Sequence, residues 1–237
     1  MRTKAITMRI INQLKHDKRT MALILFAPLL VLGLVYSIIG DAFFDHYGAT
    51  VIGIIVFFFV FVVAGINFLT ERVSGTLEKM FSTPVRCAEI ILGYVIGFGI
   101  LTLIQTVLIT LFCVYILGIN VAGSVWIVLL INFLTAVAAL TLGMLLSTLA
   151  NSEFQMLQFI PIIIVPQIFL CGLFPLSDGW TIVSKYIPLT YTAEGLQDVI
   201  IKGNGIATIG GDILALGIFS LVFIILNYVL LRKQRKW

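Results

Sequence analysis

Residues 71–93, ERVSGTLEKMFSTPVRCAEIILG, gather Glu71, Arg72, Glu78, Lys79, Arg86 and Glu89 between two long apolar runs. Val73, Leu77, Met80 and Phe81 recur at helical spacing on one face, and Glu71, Glu78 and Lys79 fall away from it. The pattern predicts a short amphipathic helix with a charged outer face. Thr83 can then cap a second helix with Pro84 at its first position. The stretch reads as helix, break, helix: a rigid elbow with no flexible linker to absorb a push.

The chemistry of such an elbow is recognition rather than catalysis. The sequence holds no Gly-x-x-x-x-Gly-Lys-Ser/Thr string and no Gly-Lys pair at all, so it has no phosphate-cradling loop of that kind. Cys87, Cys113 and Cys171 are scattered without Cys-x-x-Cys spacing, and His16 and His46 do not join them. Neither a metal site nor a disulfide framework is indicated. Asp41, Asp45 and His46 read as a solvated loop.

The elements that must position the elbow are apolar. Of 237 residues, 60% are hydrophobic and 11% charged, with a mean hydropathy of +1.14, far from the balance of a soluble domain. A helical span needs about 20 apolar residues, and the chain divides into six: about 21–39, 48–69, 91–117, 125–149, 154–174 and 213–231. The first is too long for a signal-peptide core and has no small-residue cleavage site after it, so it reads as a retained span. Ile90–Ser152 holds no charge over 63 residues, and the turn residues Gly118, Asn120, Gly123 and Ser124 split it in two. The fold class expected is an all-α integral membrane protein forming one domain over residues 1–237.

Three amphipathic segments accompany the spans. Residues 1–20 carry six Lys and Arg beside a stripe of Ile6, Ile10 and Leu14, which suggests an interfacial helix with its apolar face in the acyl boundary. Residues 71–89 form the elbow. Residues 175–211 contain a helical stripe of Leu189, Ala193, Leu196, Val199 and Ile200, with Pro188 suiting a helix start and Gly203 a stop. This segment is expected to lie at the outer interface or to enter the membrane and return before the last span.

Charge sets the orientation. Thirteen of the fifteen Lys and Arg fall on the side of the termini and the elbow, and Lys185 and Lys202 fall on the other. The positive-inside rule places both termini and residues 71–89 in the cytoplasm and 175–211 outside. The same rule accounts for the net charge of +4 without nucleic acid as a partner. The spans lack a mid-membrane ionisable group, which argues against a proton-coupled carrier.

The string E-R-x-S-G-T-L-E-K-x-x-x-T-P-V-R-x-x-E-I-I-L-G closely resembles the signature of type-2 ABC exporter permeases. Gly172-Leu-Phe-Pro175-Leu and Ile187-Pro188-Leu-Thr-Tyr191 resemble that family's second pattern, and the topology matches along nearly the whole chain. One departure is Tyr94, where Lys or Arg is common. The resemblance implies a multi-pass permease of the cell membrane, paired with itself or a related chain and served by two copies of a separate ABC ATPase. ATP and magnesium would bind the ATPase, and no cofactor would bind this chain. Glu71, Arg72, Gly75, Thr76, Leu77, Glu78, Thr83 and Pro84 would form the coupling helix and its turn. Phe58, Phe61 and Asn67 on the second span and Gln155, Gln158 and Phe159 on the fifth would be candidates for the substrate path. An aromatic, uncharged path suits export of a hydrophobic or amphipathic compound, such as a drug, lipid or lipopeptide. The alternatives are a membrane sensor or immunity component that binds such a compound without moving it, and an ion-exporting permease.

Overall fold

The computed structural model describes residues 2–16, 18–83 and 85–234. Of the residues singled out above, Pro84 and the side chains of Leu14 and Asp41 lie outside the described ones. The chain forms α1 (Arg2–His16), α2 (Lys18–Ile39), α3 (Asp41–Val73), α4 (Thr76–Phe81), α5 (Cys87–Leu111), α6 (Val125–Ser147), α7 (Glu153–Ile168), α8 (Asp178–Ser184), α9 (Pro188–Ile200) and α10 (Gly210–Gln234). Single π-helical turns, Phe112–Ile116 and Phe169–Leu173, extend α5 and α7. No strand occurs among the described residues.

Among the described residues, six helices are long and apolar enough to cross a membrane: Met21–Ile39, Phe43–Val73, Cys87–Ile116, Val125–Ser147, Glu153–Leu173 and Gly210–Lys233. The protein is an all-α membrane protein with six candidate spans. α3 and α6 are the most buried, and α2, α7 and α10 expose most of their surface.

Lipid tails are as apolar as leucine, so close backbone approach and hydrogen bonds must hold the spans together. Gly143 of α6 lies so close to α3 that a Cβ there would meet the Phe61 carbonyl oxygen at 2.5 Å. Hydrogen bonds stitch the same core. Thr135 and Thr192 join their hydroxyls at 2.8 Å across α6 and α9. The Asn227 amide donates to the Thr141 carbonyl at 2.8 Å, and Gln197 donates to the Thr50 hydroxyl at 2.7 Å.

Three expectations change. Residues 40–46 are not a loop: Gly40, at φ 86, reverses the chain alone, and α3 begins at Asp41. In the apolar stripe of α1, Ile6 and Ile10 do not face acyl chains. They are buried against Gly93 and Gly97 of α5, whose missing side chains let the helices touch. In the segment 175–211, α9 has the stripe read from the sequence, all of it buried, with Pro188 in its first turn and Gly203 at φ 68 beyond its end. α8 is an additional helix that the sequence did not reveal.

Candidate functional site at the elbow

α3 outruns its apolar stretch by a full turn, carrying Thr70, Glu71 and Arg72 to its end. Ser74 and Gly75 then turn the chain, with Gly75 at φ 70, a conformation that glycine adopts without a Cβ penalty. The six residues Thr76–Phe81 form α4. Leu77 is buried and anchors it; Met80 and Phe81 pack on the core from partly buried positions. Glu78, Lys79, Ser82 and Thr83 remain exposed, so the elbow presents a small, charged, hydroxyl-rich surface on an apolar anchor.

The second helix starts later than predicted. The Thr83 hydroxyl donates to the Met80 carbonyl at 2.6 Å, closing α4 instead of capping the next helix. α5 begins at Cys87, and the Arg86 backbone N–H donates to the Glu89 carboxylate at 2.8 Å. Glu89 reaches back to that amide from the first turn, where a negative charge also suits the helix dipole. Pro84 lies outside the described residues.

The end of α3 differs from the sequence picture. Glu71 is 6% exposed, and its Oε2 accepts from Arg9 Nη2 at 3.0 Å and from the Tyr94 hydroxyl at 3.1 Å. Arg9 Nη1 also lies 3.6 Å from the Met80 sulfur. Arg72, about 100° further round the helix, points to the other side and donates to the Ser147 and Ala150 carbonyls. Ser147 is the last residue of α6 and Ala150 lies in the turn just beyond it, where a cation complements the negative end of the helix dipole. Thr70 adds a 3.4 Å contact to Glu153 at the start of α7. Glu71 and Arg72 therefore face into the protein and bind its own elements rather than lying on the elbow's outer face. Val73, predicted for the apolar face, is 66% exposed, because α3 has not yet ended where the amphipathic helix was expected to begin.

The residues missed are Arg9 and Tyr94. In the sequence Arg9 is one of six similar leader cations, and nothing local relates it to Glu71, 62 positions on. Tyr94 registered only as a departure from the usual Lys or Arg. It is fully buried, stacked on Phe98 and edge-on to Phe68.

The substrate-path candidates are not brought together. Phe61 is fully buried in the core, and Phe58 stands edge-on to Phe59. Asn67 donates to Val63 of its own helix at 2.7 Å and borders Ile10, Gln13 and Glu71. The Gln155 side chain accepts from the Asn151 N–H at 2.8 Å, closing the turn into α7. Gln158 is exposed and Phe159 partly buried on that helix.

The far end of the bundle is looser. A cleft of about 330 Å³ is lined by Pro166, Phe169, Leu170, Phe174, Leu176 and Trp180. A second, of about 410 Å³, lies beyond Phe174 and includes His46, Gln197 and Lys202. Lys202 pairs with Asp198 at 2.5 Å one turn away on α9. Desolvation, then the neighbouring Asp212 and Asp198, push the Glu194 carboxyl above its usual range, with Lys202 and Lys185 opposing.

This arrangement, six apolar helices with a charged elbow at one end, defines a polytopic membrane protein. The family model described as ABC-2 type transporter matches residues 1–201; the chain belongs to the ABC-2 type transporter family. It is similar to "ABC transporter G family member 20" of Dictyostelium discoideum, 25% identical over 176 residues, which cover 73% of this chain and 24% of that protein. It is also similar to "Probable multidrug ABC transporter permease YbhS" of Escherichia coli K12, 27% identical over 165 residues, covering 68% of this chain and 44% of that one. The matched regions thus span less than half of either relative.

Proposed function

We propose that this chain is the membrane-spanning subunit of an ATP-driven exporter, moving a hydrophobic or amphipathic compound outward with a separate ABC ATPase. The observation that carries the reading is the elbow. Its exposed surface, Glu78, Lys79, Ser82 and Thr83, stands on a base in which Leu77 is buried and the adjoining Glu71 and Arg72 are each tied to other helices. A partner that moves this surface moves α3 and α5 with it. The charge asymmetry supports a cytoplasmic elbow, where ATP is available. ABC-2 permeases work with ABC ATPases, and the multidrug name of one relative supports an amphipathic cargo.

Two permeases, alike or related, would form the pathway with two ATPase copies. The largely exposed α7 leaves room for such a partner beside α3. Phe58, Asn67, Gln158 and Phe159 stay as candidates for the path; Phe61, packed in the core, and Gln155, occupied in its turn, are poorer ones. ATP can shift the permease between inward-facing and outward-facing states only if the ATPase holds the elbow differently in each.

The test is purification of the full chain from its native membrane, identification of the ATPase that accompanies it, and assay of inside-out vesicles with a panel of fluorescent amphiphilic dyes. Uptake that needs both ATP and that ATPase is the expected result. Dye binding without ATP-dependent flux would replace this reading with a sensor. Within the complex, the Glu78→Ala and Lys79→Ala pair is expected to weaken ATPase retention while membrane insertion is unchanged.

A further inference from the structure

α1 docks on α5 through three contacts: Ile6 over Gly93, Ile10 over Gly97, and the Thr7 hydroxyl donating to the Gly93 carbonyl at 3.3 Å. From this seat Arg9 reaches the end of α3 at Glu71 and the sulfur of Met80 on α4. Tyr94 closes the cluster from α5. Among the described residues, Arg9 makes the one salt bridge to Glu71. That carboxylate is buried, and a buried charge separated from its partner is left uncompensated. On its other side the carboxylate borders a gap of only about 10 Å³ between Ile10, Gln13, Asn67 and Phe98, close to the smallest volume that admits one water molecule.

We propose that Arg9 is a positioning residue that makes the N-terminal helix a moving part of the elbow. Through the Arg9–Glu71–Tyr94 cluster, α1, the end of α3 and the start of α5 travel as one body and carry α4 with them. The proposal rests on the coupling reading above and adds where the moving body ends. On the Glu71 side the link is an ion pair whose carboxylate is buried and makes no other salt bridge among the described residues. On the Arg72 side it consists of hydrogen bonds to neutral carbonyls at the end of α6, which other donors can replace as the helices shift. The bend therefore falls between α3 and the α6–α7 turn, not between α1 and the elbow.

The geometry also dictates a rescue. The Tyr94 hydroxyl already contacts Glu71 Oε2, so an ammonium group introduced by Tyr94→Lys would supply from α5 the charge that Arg9 supplies from α1. Arg9 would then be dispensable.

The experiment uses the full chain in complex with its copurified ATPase. Nitroxides are placed on Met8→Cys, Ser82→Cys and Leu149→Cys, all exposed in the native protein; the three native cysteines are buried and stay unlabelled. Pairwise electron–electron distances are read without nucleotide and after trapping with ATP and vanadate. The 8–82 distance is expected to stay constant while the 82–149 distance changes. A shift in 8–82 as large as that in 82–149 overturns the proposal. If neither distance changes, the coupling reading itself fails and this proposal falls with it.

Arg9→Met is expected to broaden the 8–82 distribution and to lower permease-dependent ATP turnover about tenfold, in line with loss of a charge-assisted contact, with the ATPase still bound. Arg9→Met with Tyr94→Lys is expected to restore both. An Arg9→Met protein with a narrow distribution and normal turnover, or a double variant no better than the single, overturns the assignment. If Arg9→Met does not insert, the wild-type distances decide.

Discussion

The two ends of the bundle are built on opposite principles. At the elbow, α3 finishes with adjacent charges that find protein partners on opposite sides: Glu71 binds α1 and α5, and Arg72 binds the end of α6. At the far end, α5 and α7 loosen into π-helical turns, and Gly118 and Gly172 sit at φ 68 and φ 92. Phe169 and Phe174 stack on each other while each is about half exposed, and clefts open on both sides of Phe174. A stiff end transmits displacement, and a loose end can change shape. On the proposed function, force enters at the first and cargo leaves at the second.

The largest effect should come from breaking the stiff end unequally. The Arg9 side chain is 42% exposed and that of Glu71 only 7%, so the two substitutions are not equivalent. Arg9→Met strands a buried carboxylate and is expected to cost about 3 kcal/mol. Glu71→Gln keeps an acceptor for Tyr94, lets Arg9 turn to solvent, and is expected to cost about 1 kcal/mol. Thermal unfolding in one detergent measures both. Equal losses would mean that the pair behaves as a surface bridge, and the contrast between the ends would weaken.

A second test lies in the joint that connects the ends. Gly143→Ala would press a methyl group against the Phe61 backbone carbonyl, a group that cannot rotate away. A loss of about 1–3 kcal/mol is expected from this overpacking. Gly217→Ala, where a Cβ meets nothing within 4 Å, should instead be neutral or stabilising by up to about 1 kcal/mol, as for glycine removed from a helix interior. The pair of melting temperatures shows whether α3 and α6 are the fixed frame between the two ends.

Much of this frame was legible in the sequence because lipid imposes a simple grammar. A span must be long and apolar, so the six spans and the break at Gly118–Ser124 could be read directly. The α9 stripe could be read because Pro188 and Gly203 mark its limits. The exact content of the elbow could not. Helical periodicity gave Leu77 its buried place but could not tell that α3 continues to Val73, which turns Glu71 inward and Val73 outward. Arg9 and Glu71 meet only because Gly93 and Gly97 let α1 settle on α5, and a contact across 62 positions leaves no local trace. The π-helical turns were hidden for a related reason: an extra residue in one turn does not alter hydrophobicity.

The loose end offers a milder test at Gly172. A side chain there has open space around it, but the φ of 92 is one that L-residues avoid. Gly172→Ala should cost about 1 kcal/mol through backbone strain alone, less than Arg9→Met at the other end. A loss as large as that of Arg9→Met would indicate that this turn is part of the rigid frame.

The smallest effect concerns charge at the same end, where Glu194, Asp198 and Asp212 crowd together. The Glu194 carboxyl is held above its ordinary range, first by desolvation and then by Asp212 and Asp198. A raised carboxyl means that the folded state disfavours the ionised form. The cost is present above the folded-state value and disappears as the pH falls through it. Glu194→Gln removes that cost, so it should raise the melting temperature near pH 7 by no more than about 2 °C, given how exposed the group is. Near pH 4, where the native carboxyl has taken up its proton, the variant and the parent should melt together. A variant less stable at neutral pH would show that the Lys202 and Lys185 cations outweigh the two carboxylates. The far end would then be loose in its backbone but paired in its charges, and the difference between the two ends would lie in helix geometry alone.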